Sequence, residues 1–296
     1  MVENENKSVS AFDVISKTFK IVFEKPALAI PFLFVGICNF LWLLAVYFSP
    51  RYPISLVMAP PIRQFFGDKF LHYPQNFVLL PKLYHFGELI IVCTVGLCLT
   101  AYALWMLRCV YEDKKQFFVA KGTRVALKNY IKMLIVFIGL YYTIKGCATF
   151  SLSLMRPLFE INPHFVLLTV PLEVIIITVI QACFFFVFPA FIIGERKFFK
   201  GIAENFMLFI NNAGAVFVLI IIPSLLFIPS KMLFIYNPLF AQRHGYESIC
   251  YIIAINIIVN VIADIYISLF AGVSYIEGAK MLTDKTIQEN VGESHG

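Results

Sequence analysis

Asn256, Asn260 and Asp264 interrupt the apolar stretch INIIVNVIADIYIS, Ile255–Ser268, at four-residue steps. On an α-helix each such step drifts by only about 40°, so the three side chains share one face. Ser268 and Gly272 continue the row. A carboxylate halfway along a membrane-spanning helix costs at least about 2.5–3.5 kcal/mol on insertion scales, so it needs polar company or water. No lysine or arginine shares the depth of Asp264. Two roles fit such a group. One is a hydrogen-bonded seam fastening its helix to its neighbours; the other is a protonatable site on a water-filled path. The seam is the simpler expectation.

Lys145 and Glu173 are a second set. They lie about nine and eight residues from the ends of neighbouring apolar stretches, on the side where a short connection joins the two. At 1.5 Å per residue both sit roughly 12–14 Å below the surface, which predicts an intramembrane ion pair between antiparallel helices. Such a pair fixes packing or serves as a gate. Pro171 beside it predicts a kink with room for a cavity. Lys231, about five residues from the end of its stretch, reads as a snorkelling side chain. Gln181 shares a helix side with Glu173, while Gly96, Thr100, Gly139 and Gly146 read as close-packing positions.

Soluble-enzyme motifs are absent: there is no phosphate-binding glycine loop, H-E-x-x-H or G-x-S-x-G. His72, His85, His164 and His244 fall between the apolar stretches at spacings that match no metal-ligand pattern. The seven cysteines lie in or beside apolar stretches and form no C-x-x-C, which predicts packing residues. Hence no catalytic residue, metal or cofactor is expected.

The elements carrying these residues follow from composition. Of 296 residues, 60% are hydrophobic and 14% charged, a balance far from that of soluble domains. The expected fold is all-α, a polytopic membrane protein with six transmembrane helices: Ala27–Phe48, Gly87–Tyr111, Ile131–Leu154, Phe165–Phe191, Ala213–Tyr236 and Ser248–Tyr275. An even number places both termini on one side. Sixteen lysines and arginines lie on that side against six in the opposite loops, which predicts cytoplasmic termini. The N-terminus shows no secretory signal peptide. The net charge of +6 sits beside the apolar stretches, pointing to anionic lipid headgroups and not to nucleic acid. The first loop opposite the termini carries Pro50, Pro53, Pro60, Pro61, Pro74 and Pro81, a density that predicts a cap or lid without another full span.

Three amphipathic segments precede spans. In AFDVISKTFKIVFEKP, Phe12, Ile15, Phe19, Val22 and Phe23 recur at the offsets of Phe199, Ile202, Phe206, Phe209 and Ile210 in KFFKGIAENFMLFINN. FFVAKGTRVALKNY matches at Phe117, Ala120 and Leu127 and departs at Arg124 and Lys128. These segments predict about three interfacial amphipathic helices, with Lys17, Lys20, Lys197 and Lys200 at the lipid interface. An approximate threefold internal repeat follows, with units near 8–111, 112–192 and 193–285 in a single membrane domain spanning 1–285, then a polar tail at 286–296.

The stretch PAFIIGERKFFKGIAENFMLFINN, Pro189–Asn212, closes one span with a proline, makes a short charged turn and leads through an amphipathic helix into the next span. It resembles a group of uncharacterised six-span bacterial inner-membrane proteins. That group includes the membrane domain attached to some glycerophosphoryl diester phosphodiesterases. The likeness covers most of the chain in layout. In that group the helix often carries Ala-x-x-Ser before the next span. Here Ile202-Ala203-Glu204-Asn205 stands there, so Asn205 replaces the serine. The phosphodiesterase's soluble catalytic domain has no counterpart, so the resemblance implies a fold and a membrane but no chemistry. Mitochondrial carriers also use three two-span repeats, but their Pro-x-Asp/Glu-x-x-Lys/Arg signature is missing after every odd-numbered span.

Three functions compete: a non-catalytic envelope protein resting basic helices on the cytoplasmic leaflet, a small secondary transporter or lipid-handling permease using the polar row, and an intramembrane enzyme. The enzyme lacks a nucleophile–base pair or metal cluster. The first is the simplest reading, the second its alternative.

Overall fold

A computed structural model describes residues 10–113, 119–161, 168–235, 241 and 243–293. Among these residues there are helices and turns and no strand. The helices are α1 (Ala11–Glu24), α2 (Ile30–Tyr47), α3 (Ser55–Phe66), α4 (Gln75–Ile91), α5 (Leu97–Tyr111), α6 (Val119–Ile161), α7 (Thr169–Cys183), α8 (Val187–Ile192), α9 (Phe198–Leu225), α10 (Phe227–Ile235) and α11 (Ser248–Glu293). Six helical stretches are long and apolar enough to cross a membrane: Pro26–Tyr47, Gln75–Tyr111, Val119–Pro157, Thr169–Ile192, Phe198–Leu225 and Ser248–Lys280. The chain is an all-α, polytopic integral membrane protein. The predicted span ends at Phe165 and Tyr236, with His164 and Phe117, lie outside the described residues.

Two irregularities change the expected spans. The second span begins at Gln75, twelve residues before the expected Gly87, because α4 runs into α5 through a π-helical turn at Val92–Gly96. Pro81 is accommodated inside α4, where Phe77, Leu80 and Tyr84 pack with Leu43, Val46, Ile249, Ile253 and Ile257 in one apolar cluster. That burial outweighs the lost backbone hydrogen bond. Trp42 adds a tie, donating its indole N–H towards the carbonyls of Leu83 (3.3 Å) and Tyr84 (3.2 Å). Its ring lies where a Cβ on Gly87 would stand, 2.0 Å away, so only glycine admits this contact. In the fourth span, α7 and α8 are separated by a non-helical turn at Phe184–Phe186.

The three amphipathic segments differ in their joints. The first, α1, is a separate helix that a short 3-10 turn at Pro26–Ala29 joins to α2. The third forms the start of α9, which kinks at Asn212 (φ −131°, ψ 21°) before the span proper. The middle segment continues into the span as one helix, α6. The single apolar face expected of α1 divides in two. Val14 and Thr18 are buried against the bundle, while Phe12 and Phe23 are exposed. In α9, Gly201, Asn205 and Leu208 are buried while Phe199 and Ile210 are exposed.

Both ends of the bundle's chain meet on one side: Lys17 of α1 bridges to Glu277 of α11 at 3.2 Å. We call this the terminal side. Here the turn between α8 and α9 is pinned by charge, with Arg196 Nε donating to Glu204 at 2.5 Å and Tyr275 donating its hydroxyl to the same carboxylate at 2.7 Å. Arg108 holds Glu112 and Glu195 together. Because Arg196 is bound by the Glu204 carboxylate, its guanidinium pKa rises above the ordinary value.

Candidate functional site

Asp264 stands sixteen residues from each end of the 33-residue apolar stretch Ser248–Lys280, at its midpoint. On α11 the exposed Tyr251, Ile255, Ile258 and Ile262 form one stripe, suited to lipid. At 100° per residue, Asn256, Asn260 and Asp264 occupy the opposite side and face the bundle. Asn260 fastens α11 to α4 through a hydrogen bond to Glu88, as a polar seam requires, yet the row also borders open space. Asn260 and Asp264 line a cavity of about 300 Å³, and Asp264 is exposed to that space although it lies deep among the helices.

Two irregular segments border this central cavity. The π-turn places Val92 and Gly96 on its wall, with Thr100 one turn further along. Gly96 is buried, as close packing requires, and with Thr100 it also borders this cavity. Gly139 and Gly146 of α6, by contrast, meet nothing within 4 Å, so they do not pack between helices in this chain. Opposite, the α7–α8 break supplies Phe184, Phe185 and Phe188.

A broken helix at membrane depth leaves backbone groups that lipid cannot satisfy. Asn205 of α9 solves this with one side chain. Its Nδ2 donates to the Cys183 carbonyl at 2.7 Å, and its Oδ1 accepts from the Phe186 N–H at 2.9 Å. Asn205 is fully buried. Asn205 thus brings both a donor and an acceptor, and the break uses each.

Glu88 of α4 joins the row from across the bundle. Asn260 Nδ2 donates to its Oε1 at 3.1 Å, Tyr84 donates its hydroxyl to Oε1 at 3.3 Å, and His85 Nδ1 lies 3.3 Å from Oε2. His85 Nε2 is in turn 3.4 Å from the Tyr141 hydroxyl of α6. The assignment of His85 to a loop is therefore corrected: it lies on α4, because the span starts earlier than its apolar core suggested.

A second cavity, of about 430 Å³, is bordered by Glu88, His85, Asn256, Ser151, Glu173 and Lys231 among others. Four helices visit both spaces in the same order. Moving towards the terminal side, α4 offers Glu88 and the π-turn that continues it offers Val92; α7 offers Glu173 and then Gln181; α11 offers Asn256 and then Asn260 and Asp264. The antiparallel α6 offers Ser151 and then Tyr141. The cavities are therefore stacked across the membrane, the larger on the far side, and the Asn260–Glu88 hydrogen bond spans their junction.

The expected Lys145–Glu173 pair is not formed. Glu173 is bridged by Lys231 Nζ at 2.5 Å, and Lys145 lies over the Tyr141 ring, 5.5 Å from its centre, with its side chain exposed. Depth counted from span ends puts Lys145 and Glu173 level. It carries no sign that α10 turns Lys231 back onto α7, where pairing relieves the desolvation of both groups. Snorkelling by Lys231 is corrected accordingly. Among the lysines expected at the lipid interface, Lys17 pairs with Glu277, Lys20 approaches Glu24 at 3.9 Å, and Lys197 and Lys200 are exposed at the start of α9. Among the described residues, no three of His, Cys, Asp or Glu are grouped closely enough to hold a metal ion.

No family model matches this chain, and no curated protein or solved structure is significantly similar to it.

Proposed function

We propose that this integral membrane protein is a small secondary transporter or permease whose solute path runs through the two stacked cavities. Asp264 and Asn260 serve the central cavity, Asn256 and Glu88 serve the junction, and the Lys231–Glu173 pair stands at the mouth of the far cavity in the gating role expected of Lys145. The observation that carries this reading is Asp264 itself: an intramembrane acid, opposite the lipid stripe, exposed to open space where a dry seam would bury it. A helix broken beside such a cavity supports the same reading, since transporters place irregular backbone where it lines a solute path. The distribution of basic residues supports cytoplasmic termini, and the resemblance in layout to six-span bacterial proteins supports an inner-membrane placement. With that orientation the far cavity faces outward.

The experiment asks whether water reaches the path. In a variant lacking the native cysteines, Asn256→Cys and Ser268→Cys are each treated with a membrane-impermeant thiol reagent, applied to either face of sealed vesicles. Asn256→Cys is expected to react from the far side and Ser268→Cys from the terminal side. If neither reacts while an exposed loop cysteine does, no aqueous path exists and the transporter reading falls.

A lipid-supporting role in the envelope is favoured by a different observation, the exposed Phe12, Phe23 and Phe199 beside Lys20, Lys197 and Lys200 on α1 and α9. Aromatic and basic side chains together suit the headgroup region of an anionic leaflet. This role needs none of the cavity residues, so it predicts that Asp264→Asn is without consequence in the cell.

A further inference from the structure

The lining of the central cavity is unbalanced in its hydrogen-bonding chemistry. Asp264 contributes a carboxyl group, and Asn260, one of whose N–H groups goes to Glu88, contributes its amide oxygen and its second N–H. Asn39 of α2 is only 6% exposed, and its Oδ1 has no hydrogen-bond partner. The Oε1 of Gln181 is likewise buried and unpartnered. A buried acceptor without a donor costs about 1–3 kcal/mol, so two on the wall of one cavity mark where a donor is missing. Among the lining residues there is no lysine, arginine or histidine, so the donors on the wall are neutral ones, chiefly the hydroxyls of Thr100, Tyr141 and Ser268.

The rest of the wall is aromatic, with Phe32, Phe137, Tyr141, Phe184, Phe185 and Phe188 contributing rings. Ring faces attract cations and accept apolar bodies, while they repel anions. At about 300 Å³ the space suits a compact organic molecule and is far larger than a dehydrated metal ion needs. Glu88, held one turn away through Asn260, adds a second acid to the same network.

We propose that the central cavity binds a compact organic ammonium ion, its N–H groups donating to Asp264 and, once their amides turn towards the cavity, to Asn39 and Gln181, and its apolar body lying among the phenylalanines. This names the solute class for the path proposed above. It rests on that reading for transport, though not for binding.

The test measures binding to the purified full-length protein in detergent, by calorimetry and by the shift in unfolding temperature. Three probes of one shape are compared: 2-phenylethylammonium, neutral 2-phenylethanol and anionic 3-phenylpropionate. The ammonium ion is expected to bind at least about tenfold more tightly than the alcohol, as loss of a charged hydrogen bond implies, and the carboxylate not at all. Asp264→Asn should remove the preference for the ammonium ion over the alcohol while leaving alcohol binding unchanged. Gln181→Leu, which keeps both acids, should weaken ammonium binding severalfold. It serves as the second variant if Asp264→Asn fails to fold. Equal binding of all three probes, or an ammonium affinity untouched by either substitution, overturns the proposal. Ammonium binding that depends on Asp264 but gives no flux in proteoliposomes supports the site and overturns the transporter reading. Solute flux that depends on Asp264 with no ammonium binding keeps the transporter and overturns the solute class.

Discussion

At the scale of single residues, one acid is legible in the sequence and one is hidden. The four-residue spacing of Asn256, Asn260 and Asp264 is enough to fix their common face, because nothing in helix geometry can separate them. Glu88 gives no such signal. It stands at the edge of an apolar run, and only the burial of α4 against α2 and α11 carries it into the bundle. The partner of Glu173 escapes the sequence for a related reason: depth along a span is readable, but rotation about its axis and the return of a later helix are not. The Lys231–Glu173 bridge is testable by a double-mutant cycle. Both side chains are partly exposed, at 25% and 43%, so the coupling is set at about 0.5–1 kcal/mol and no higher. Unfolding of Glu173→Gln, Lys231→Gln and the double variant in detergent should return that coupling, and a cycle of Glu173 with Lys145 should return none. Coupling to Lys145 in place of Lys231 would refute the geometry.

At the scale of elements, helix existence follows from apolar length, and helix continuity does not. The fourth span reads as an unbroken apolar run. Its sequence QACFFFVFPAF contains no glycine to mark the turn at Phe184–Phe186, and Pro189 falls after it. What stabilises the break lies in another element, the Asn205 amide of α9. Asn205→Leu leaves a buried N–H and a carbonyl without partners. The expected loss is about 2–4 kcal/mol, seen as a clearly lower unfolding temperature. Asn205→Asp keeps the acceptor for the Phe186 N–H and loses the donor to Cys183, so its loss should be intermediate. Unchanged stability of Asn205→Leu would mean the break is satisfied by other means. The same logic explains the π-turn at Val92–Gly96. Its sequence VCTVG differs little from a regular helical run, and only the surrounding packing decides that one residue is inserted.

For the whole molecule, the count of six spans and the placement of both chain ends on one side follow from hydropathy alone, as bilayer thickness leaves little freedom. The stacking of two cavities does not, because it depends on residues from four helices whose mutual rotation no single segment encodes. Sidedness is the matching prediction. Protease or antibody epitopes placed at the N-terminus and after Glu293 should be protected together in right-side-out vesicles. A site inserted at Gly67, between α3 and α4, should be cleaved. Protection of one terminus without the other would break the six-span topology, and protection of Gly67 would invert it.

The bond pair at Asn205 also has a mechanical meaning. Cys183 and Phe186 are the two edges of a joint, and both are tied to one rigid side chain on α9, the helix whose other face carries the exposed Phe199 and Ile210. The two hydrogen bonds fix the position of the break relative to α9. The phenylalanines at the joint form the cavity wall, and Phe184 also rests edge-on against Phe206 of α9, 5.8 Å between ring centres. The Asn205 amide and the Phe184–Phe206 contact thus tie α9 to both the break and the cavity wall that the break supplies.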